Sequence, residues 1–180
     1  LLFLGLDALK GAVPDIKNNP EVLDFLSDFT NPNILTRLMF VGVGTLLTII
    51  VQSSSAAMSL TIVLVAQGLP IEIGTAMVLG ENIGTTITAE LAALVGNVHA
   101  KRSAKIHSIF NIIGVTWMVI LLPYVLDALH YIWPAPSSGD PEKFTLALFH
   151  TTFNMLNVFI LIWFVPNLVK MATRLVKSKG

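Results

Sequence analysis

The chain has 180 residues, 54% of them hydrophobic and 12% charged, and its 11 basic and 11 acidic side chains balance to zero net charge at neutral pH. Soluble domains carry roughly 25% charged residues, so about half that share, with long apolar runs, indicates a membrane protein. The zero balance argues against a nucleic-acid partner, and the lack of cysteine excludes disulfides, thiol catalysis and zinc–thiolate sites.

Leu1–Leu9 is apolar apart from Asp7 and too short to span a bilayer alone. With no initiating methionine and no signal-peptide features, residues 1–13 read as the end of a membrane helix in a fragment of a longer protein. In residues 14–33, Val22, Leu23, Phe25, Leu26 and Phe29 alternate with Glu21, Asp24 and Asp28. That spacing predicts an amphipathic helix on the membrane surface, closed by the turn Asn31-Pro32-Asn33.

Residues 34–68 are too long for one span of about 20 residues and too short for two spans with a loop. Gln52-Ser53-Ser54-Ser55-Ala56 interrupts the apolar run. A re-entrant hairpin that breaks at Gln52–Ser55 fits the length, and Gly42 and Gly44 would admit close helix packing. Gly68-Leu69-Pro70 is the next turn. Residues 71–95 are long enough to cross with tilt. Their middle holds a second polar island, Gly80-Glu81-Asn82-Ile83-Gly84-Thr85-Thr86. Gly80 and Gly84 weaken a helix and Thr85 and Thr86 can cap a new one, so a second broken helix is expected there. Residues 96–105 read as a short basic loop. Spans follow over 106–129, with Pro123 near the end, and over 144–165, separated by an acidic loop at 135–142. Lys170, Arg174, Lys177 and Lys179 make residues 167–180 a basic tail. The basic loop and the tail are then both cytoplasmic, and 135–142 and 14–33 external.

Polar side chains at membrane depth are costly unless they face protein or a wet cavity. A half-helix that starts inside the membrane presents free N–H groups and a partial positive charge, which attract anions and phosphate especially. Ser53, Ser54 and Ser55 precede one such end, and Asn82, Thr85 and Thr86 precede the other in this reading. Hydroxyls, the Gln52 and Asn82 amide oxygens and unwound carbonyls also suit a bare sodium ion. Broken-helix transporters pair an anionic substrate with sodium in this way. The competing reading is structural: serine and threonine bond back to their own helix or join helices. Glu81 and Glu90 are carboxylates in mid-span and candidates for function, with a snorkelling role equally open for Glu90. His107 with Asn111 and His150 with Asn154 are each four residues apart on one helix face, for interhelical hydrogen bonding or for gating. His99 and His130 complete the histidines, whose spacing matches no metal motif. Trp117, Tyr131, Trp133 and Trp163 read as core or interface anchors.

Gln52-Ser53-Ser54-Ser55-Ala56 followed by Gly80-Glu81-Asn82-Ile83-Gly84-Thr85-Thr86-Ile87-Thr88-Ala89 resembles the sodium/phosphate cotransporter family, the type II sodium-dependent phosphate transporters and their bacterial relatives. Arg102 with His107-Ser108-Ile109-Phe110-Asn111 resembles a further family segment, and His150-Thr151-Thr152-Phe153-Asn154 repeats it. The resemblance implies an all-α polytopic membrane protein of two inverted repeats. This chain, over 34–166, would supply one repeat with a re-entrant hairpin, a second broken helix and two further spans. It implies phosphate at Ser53, Ser54, Ser55, Asn82, Gly84, Thr85 and Thr86, and sodium at Gln52, Ser53, Ser54, Asn82, Thr85 and Thr86, with Glu81 open as a sodium ligand, a proton-coupling group or a helix-capping acid. Glu81 departs from the family pattern, which more often has a small residue there. Expected partners are inorganic phosphate, sodium as coupling ion, the lipid bilayer of the cell membrane and the second repeat missing from this chain, with a homodimer open. A soluble regulatory domain after the basic tail is common among the bacterial relatives. No organic cofactor and no enzymatic activity are expected, since no nucleophile–base constellation is present. A channel with a re-entrant filter and a phosphate sensor that does not transport are the alternatives.

Overall fold

In a computed structural model, residues 32–134 and 141–177 are described, with only isolated positions before them. The expected membrane-helix end at 1–13, the surface helix at 14–33 and the loop at 135–142 lie wholly or largely outside the described residues. The described part is all helical. Its order is α1 (Ile34–Val51), α2 (Ser54–Ala66), α3 (Ile71–Ala93), α4 (Val98–Ile132), α5 (Pro141–Leu161), a 3-10 turn (Ile162–Phe164) and α6 (Val165–Leu175). Among the described residues, three stretches are long and apolar enough to cross a membrane: Ile34–Val51, Val98–Ile132 and Pro141–Leu175.

The helix that the others surround is α3. Every residue from Ile73 through Glu81 is buried. The packing partners fix its neighbours' directions. Gly44 of α1 seats against Met77, Gly80 seats against Val41 and Thr45, and Gly84 against Thr45 and Thr48, so α1 runs parallel to α3. Val65 of α2 lies on Gly74 and Thr61 reaches Glu81, so α2 runs antiparallel. The chain therefore reverses between α1 and α2 and returns towards the end from which α1 started. On the other side α4 runs antiparallel to α3, with Lys105 at Glu90 and Asn111 at Asn82. Along α4, α5 lies antiparallel, with Asn157 against Gly114 and Trp117 against Phe153, their ring centroids 6.4 Å apart. The core runs between these helices through Ile73, Leu79, Met118, Leu122, Leu146 and Phe149.

The α1–α3 seam is unusually close. A methyl at Gly44 would lie 2.7 Å from the Met77 carbonyl carbon, and one at Gly80 would lie 2.8 Å from the Thr45 nitrogen. Both neighbours are backbone, so only glycine fits. Thr45 adds a hydroxyl bond across the seam to the Gly80 carbonyl at 3.0 Å. Gly42 has nothing within 4 Å and takes no part in packing, contrary to expectation.

Two further expectations are corrected. The second polar island does not break a helix: α3 is continuous from Ile71 to Ala93. Its polar side chains bond to their own helix, Asn82 Nδ2 to the Val78 carbonyl, Thr85 Oγ1 to Glu81 and Thr86 Oγ1 to Ile83, so no new helix start is capped there. The basic segment at 101–105 is not a loop but the first turns of α4, whose N-cap Asn97 accepts from the Ala100 N–H at 2.9 Å. The start of the basic tail is helical to Leu175, as α6, an amphipathic helix that buries Leu168 and Ala172 and exposes Lys170 and Arg174. The two basic regions lie at one end of the fold, where Arg102 Nε donates to the Val176 carbonyl at 3.0 Å.

Candidate functional site

The site starts with the break between α1 and α2. Gln52 ends α1 in the left-handed region, φ 55° and ψ 25°, the only non-glycine among the described residues with positive φ. Its N–H still reaches the Thr48 carbonyl at 2.7 Å. Left-handed backbone costs a side-chain-bearing residue roughly 1–2 kcal/mol, strain that tends to collect where function requires it. Ser53 is then the N-cap of α2, its hydroxyl accepting from the Ala56 N–H at 3.3 Å. Ser54 and Ser55 occupy the first turn, where a helix has free N–H groups and its positive end.

Beside this helix start lies a cavity of about 430 Å³. Ser54, Ser55 and Met58 line it from α2, and Glu81, Asn82 and Thr85 from α3. The third wall is α4, with His107, Phe110 and Asn111, and the fourth α5, with His150 and Asn154. Both polar islands and both histidine–asparagine pairs therefore meet in one space. Asn82 gives one amide N–H and Thr85 its hydroxyl proton to their own helix, which leaves the Asn82 amide oxygen and lone pairs of the Thr85 hydroxyl available as acceptors. Glu81 is 3% exposed, and its carboxylate accepts from the Thr61 hydroxyl at 2.6 Å. Asn111 Nδ2 donates to the Asn82 carbonyl at 3.1 Å and lies 3.2 Å from His107 Nε2, so α4 is tied to the island backbone.

The remaining candidates stand elsewhere. Gln52 and Ser53 form the joint behind the cavity, exposed on the chain's surface. Gly84 is a packing seat for Thr48, and Thr86 is buried towards the outer side of α3. Of the seven residues expected for phosphate, Ser54, Ser55, Asn82 and Thr85 share the cavity wall. His107, Asn111, His150 and Asn154 were legible only as pairs on a helix face; that both faces close on one cavity depends on the α4–α5 packing. Glu90 pairs with Lys105 at 2.7 Å and takes the Ser108 hydroxyl, the structural alternative for that carboxylate. Trp117 is a core anchor bonded to Asn157, whereas Tyr131, Trp133 and Trp163 are exposed near helix ends, where interface aromatics sit.

Residues 1–133 match the Na+/Pi-cotransporter family. The chain belongs to that family. It is 32% identical over 158 residues to YqeW of Bacillus subtilis (strain 168), covering 87% of this chain and 47% of the relative. It is 26% identical over 183 residues to YjbB of Escherichia coli (strain K12), named as a candidate inorganic phosphate export protein, covering 99% of this chain and 31% of that one. With the human sodium-dependent phosphate transport protein 2B it shares 35% identity over 112 residues, 58% of this chain and 16% of the relative. The chain thus spans about half or less of the length of these relatives. No solved structure matches.

Proposed function

We propose that the protein carries inorganic phosphate across the cell membrane with sodium as the coupling ion, and that the cavity is this chain's share of the path. The observation that carries the reading is the meeting of both polar islands at the start of α2. Ser54 and Ser55 present hydroxyls there, beside free N–H groups, on a helix end that favours an oxyanion. With no lysine or arginine in the lining, an anion would rest on dipoles, hydroxyls and a co-bound cation. The Asn82 and Thr85 oxygens and the Glu81 carboxylate supply oxygen ligands for sodium. Gln52 and Ser53 set the direction of α2, and Gly84 and Thr86 hold α3 in place. Residues 52–56 are exposed. In the proposed assembly a second, inverted repeat covers them, and α1 with α2 forms a re-entrant hairpin. Family membership and the names of relatives support phosphate as cargo, and those names include both export and sodium-dependent transport.

The test is radiolabelled phosphate flux in proteoliposomes under sodium gradients of either direction. Saturable flux that follows the gradient and is lost in Ser54→Ala is expected. Flux indifferent to sodium refutes the coupling, and phosphate binding without flux refutes transport in favour of a sensor.

A further inference from the structure

On the outer side of the α3–α4 pair, away from the central cavity, two hollows run into one another. One, of about 260 Å³, is apolar along Ile83, Ile87, Leu91 and Ile112. The other, of about 210 Å³, is lined by Lys101, Lys105 and Val176. Glu90 and Leu94 belong to both, so the two form one groove, and it shares no lining residue with the central cavity. Leu91, Leu94 and Ile112 are exposed, so the groove opens outwards from the bundle.

Its charge is graded. The apolar length lies along the C-terminal half of α3 and the candidate span α4, and the cationic mouth lies where α3 ends and α4 begins. Glu90 is the acidic residue of the lining, and it is already satisfied by Lys105 Nζ at 2.7 Å and by the Ser108 hydroxyl. Lys101 has no ion pair among the described residues. Arg102, through its bond to the Val176 carbonyl, fixes the end of α6 as one wall of the mouth and brings that helix, with Lys170 and Arg174, and Lys177 just beyond it, to the same end. An occupant must therefore be apolar along most of its length and anionic at one end.

We propose that this groove holds an anionic phospholipid, its phosphate at Lys101 and one acyl chain along Ile87, Leu91 and Ile112. The complementarity is of two kinds at once: buried methylenes favour any chain, and the unpaired lysine favours a negative headgroup. The site is independent of the proposed phosphate path.

The experiment is native mass spectrometry of the detergent-solubilised protein, titrated with phosphatidylglycerol or with phosphatidylcholine of the same acyl chains. Tighter binding of phosphatidylglycerol is expected. Lys101→Ala should weaken it about fivefold, the share of one lysine near an anionic surface, and weaken phosphatidylcholine, whose choline offsets its phosphate, by clearly less. Lys101 makes no hydrogen bond through its side chain among the described residues, so this variant tests the site without unfolding the protein. Ile112→Trp, which fills the apolar half, should weaken both lipids. Equal affinity for the two lipids, or phosphatidylglycerol binding untouched by Lys101→Ala, overturns the proposal. Displacement of the lipid by millimolar inorganic phosphate also overturns it, since it would show an anion site with no use for the acyl chain.

Discussion

Replacing Gly80 by alanine tests the seam that positions the cavity. The added methyl would overlap the Val41 carbonyl oxygen and lie 2.8 Å from the Val41 carbonyl carbon and the Thr45 nitrogen. These are backbone atoms, so no rotamer change relieves the contact and α1 must move off α3. Overpacking of this kind costs about 1–3 kcal/mol. Separation also stretches the 3.0 Å bond from Thr45 Oγ1 to the Gly80 carbonyl, worth about 1 kcal/mol. Alanine returns about 1 kcal/mol of helix propensity. The net loss is about 1–3 kcal/mol, and at roughly 2–4 °C per kcal/mol the melting temperature should fall by roughly 2–12 °C. The control is Gly42→Ala, whose methyl meets nothing within 4 Å and gains the propensity without the clash. Thermal melting of the detergent-solubilised protein, followed by tryptophan fluorescence, reads both. A Gly80→Ala protein that melts with the parent, or a Gly42→Ala protein that falls as far, would refute the close-seam argument.

Thr61→Val keeps the shape but removes the hydroxyl from the Glu81 carboxylate between two buried groups; it should cost about 1.5–3 kcal/mol, with Thr61→Ser much milder, as thermal melts would show. Ser53→Ala removes the cap of α2 and should lower stability by about 1 kcal/mol, whereas Ser54→Ala should leave the melting temperature in place and abolish phosphate flux. Lys105→Met breaks a pair whose members are 31% and 33% exposed, so less than about 1 kcal/mol should be lost in the same melt.

The break at Gln52 could be read from sequence because four polar residues in a row have no place in a spanning helix, and the expectation of a re-entrant hairpin combined that break with the length of 34–68. The second island misled because glycine has two uses. Gly80 and Gly84 look like helix breakers in isolation, but in the fold they are seats for the α1 backbone. Asn82, Thr85 and Thr86 look like caps, yet each satisfies itself on a carbonyl three or four residues back. Nothing local separates these uses, since the deciding partner lies about 35 residues away along the chain. The helical start of α4 was legible in principle, as Asn97 is a good N-cap ahead of the basic residues. Five cavity residues, Ser54, Ser55, Glu81, Asn82 and Thr85, were legible as polar islands, but the histidine–asparagine wall needed the packing of α5 on α4.

The joint at Gln52–Ser53 has a mechanical consequence. α1 and α3 touch backbone to backbone, so they are expected to behave as one rigid body. The 13 residues of α2 form a rod about 20 Å long that is tied to this body at both ends: Gln52–Ser53 joins it to α1, and Val65 against Gly74, Thr61 at Glu81 and the turn through Gly68 join it to α3. The anion-facing hydroxyls of Ser54 and Ser55 are therefore held in place from both directions along the chain.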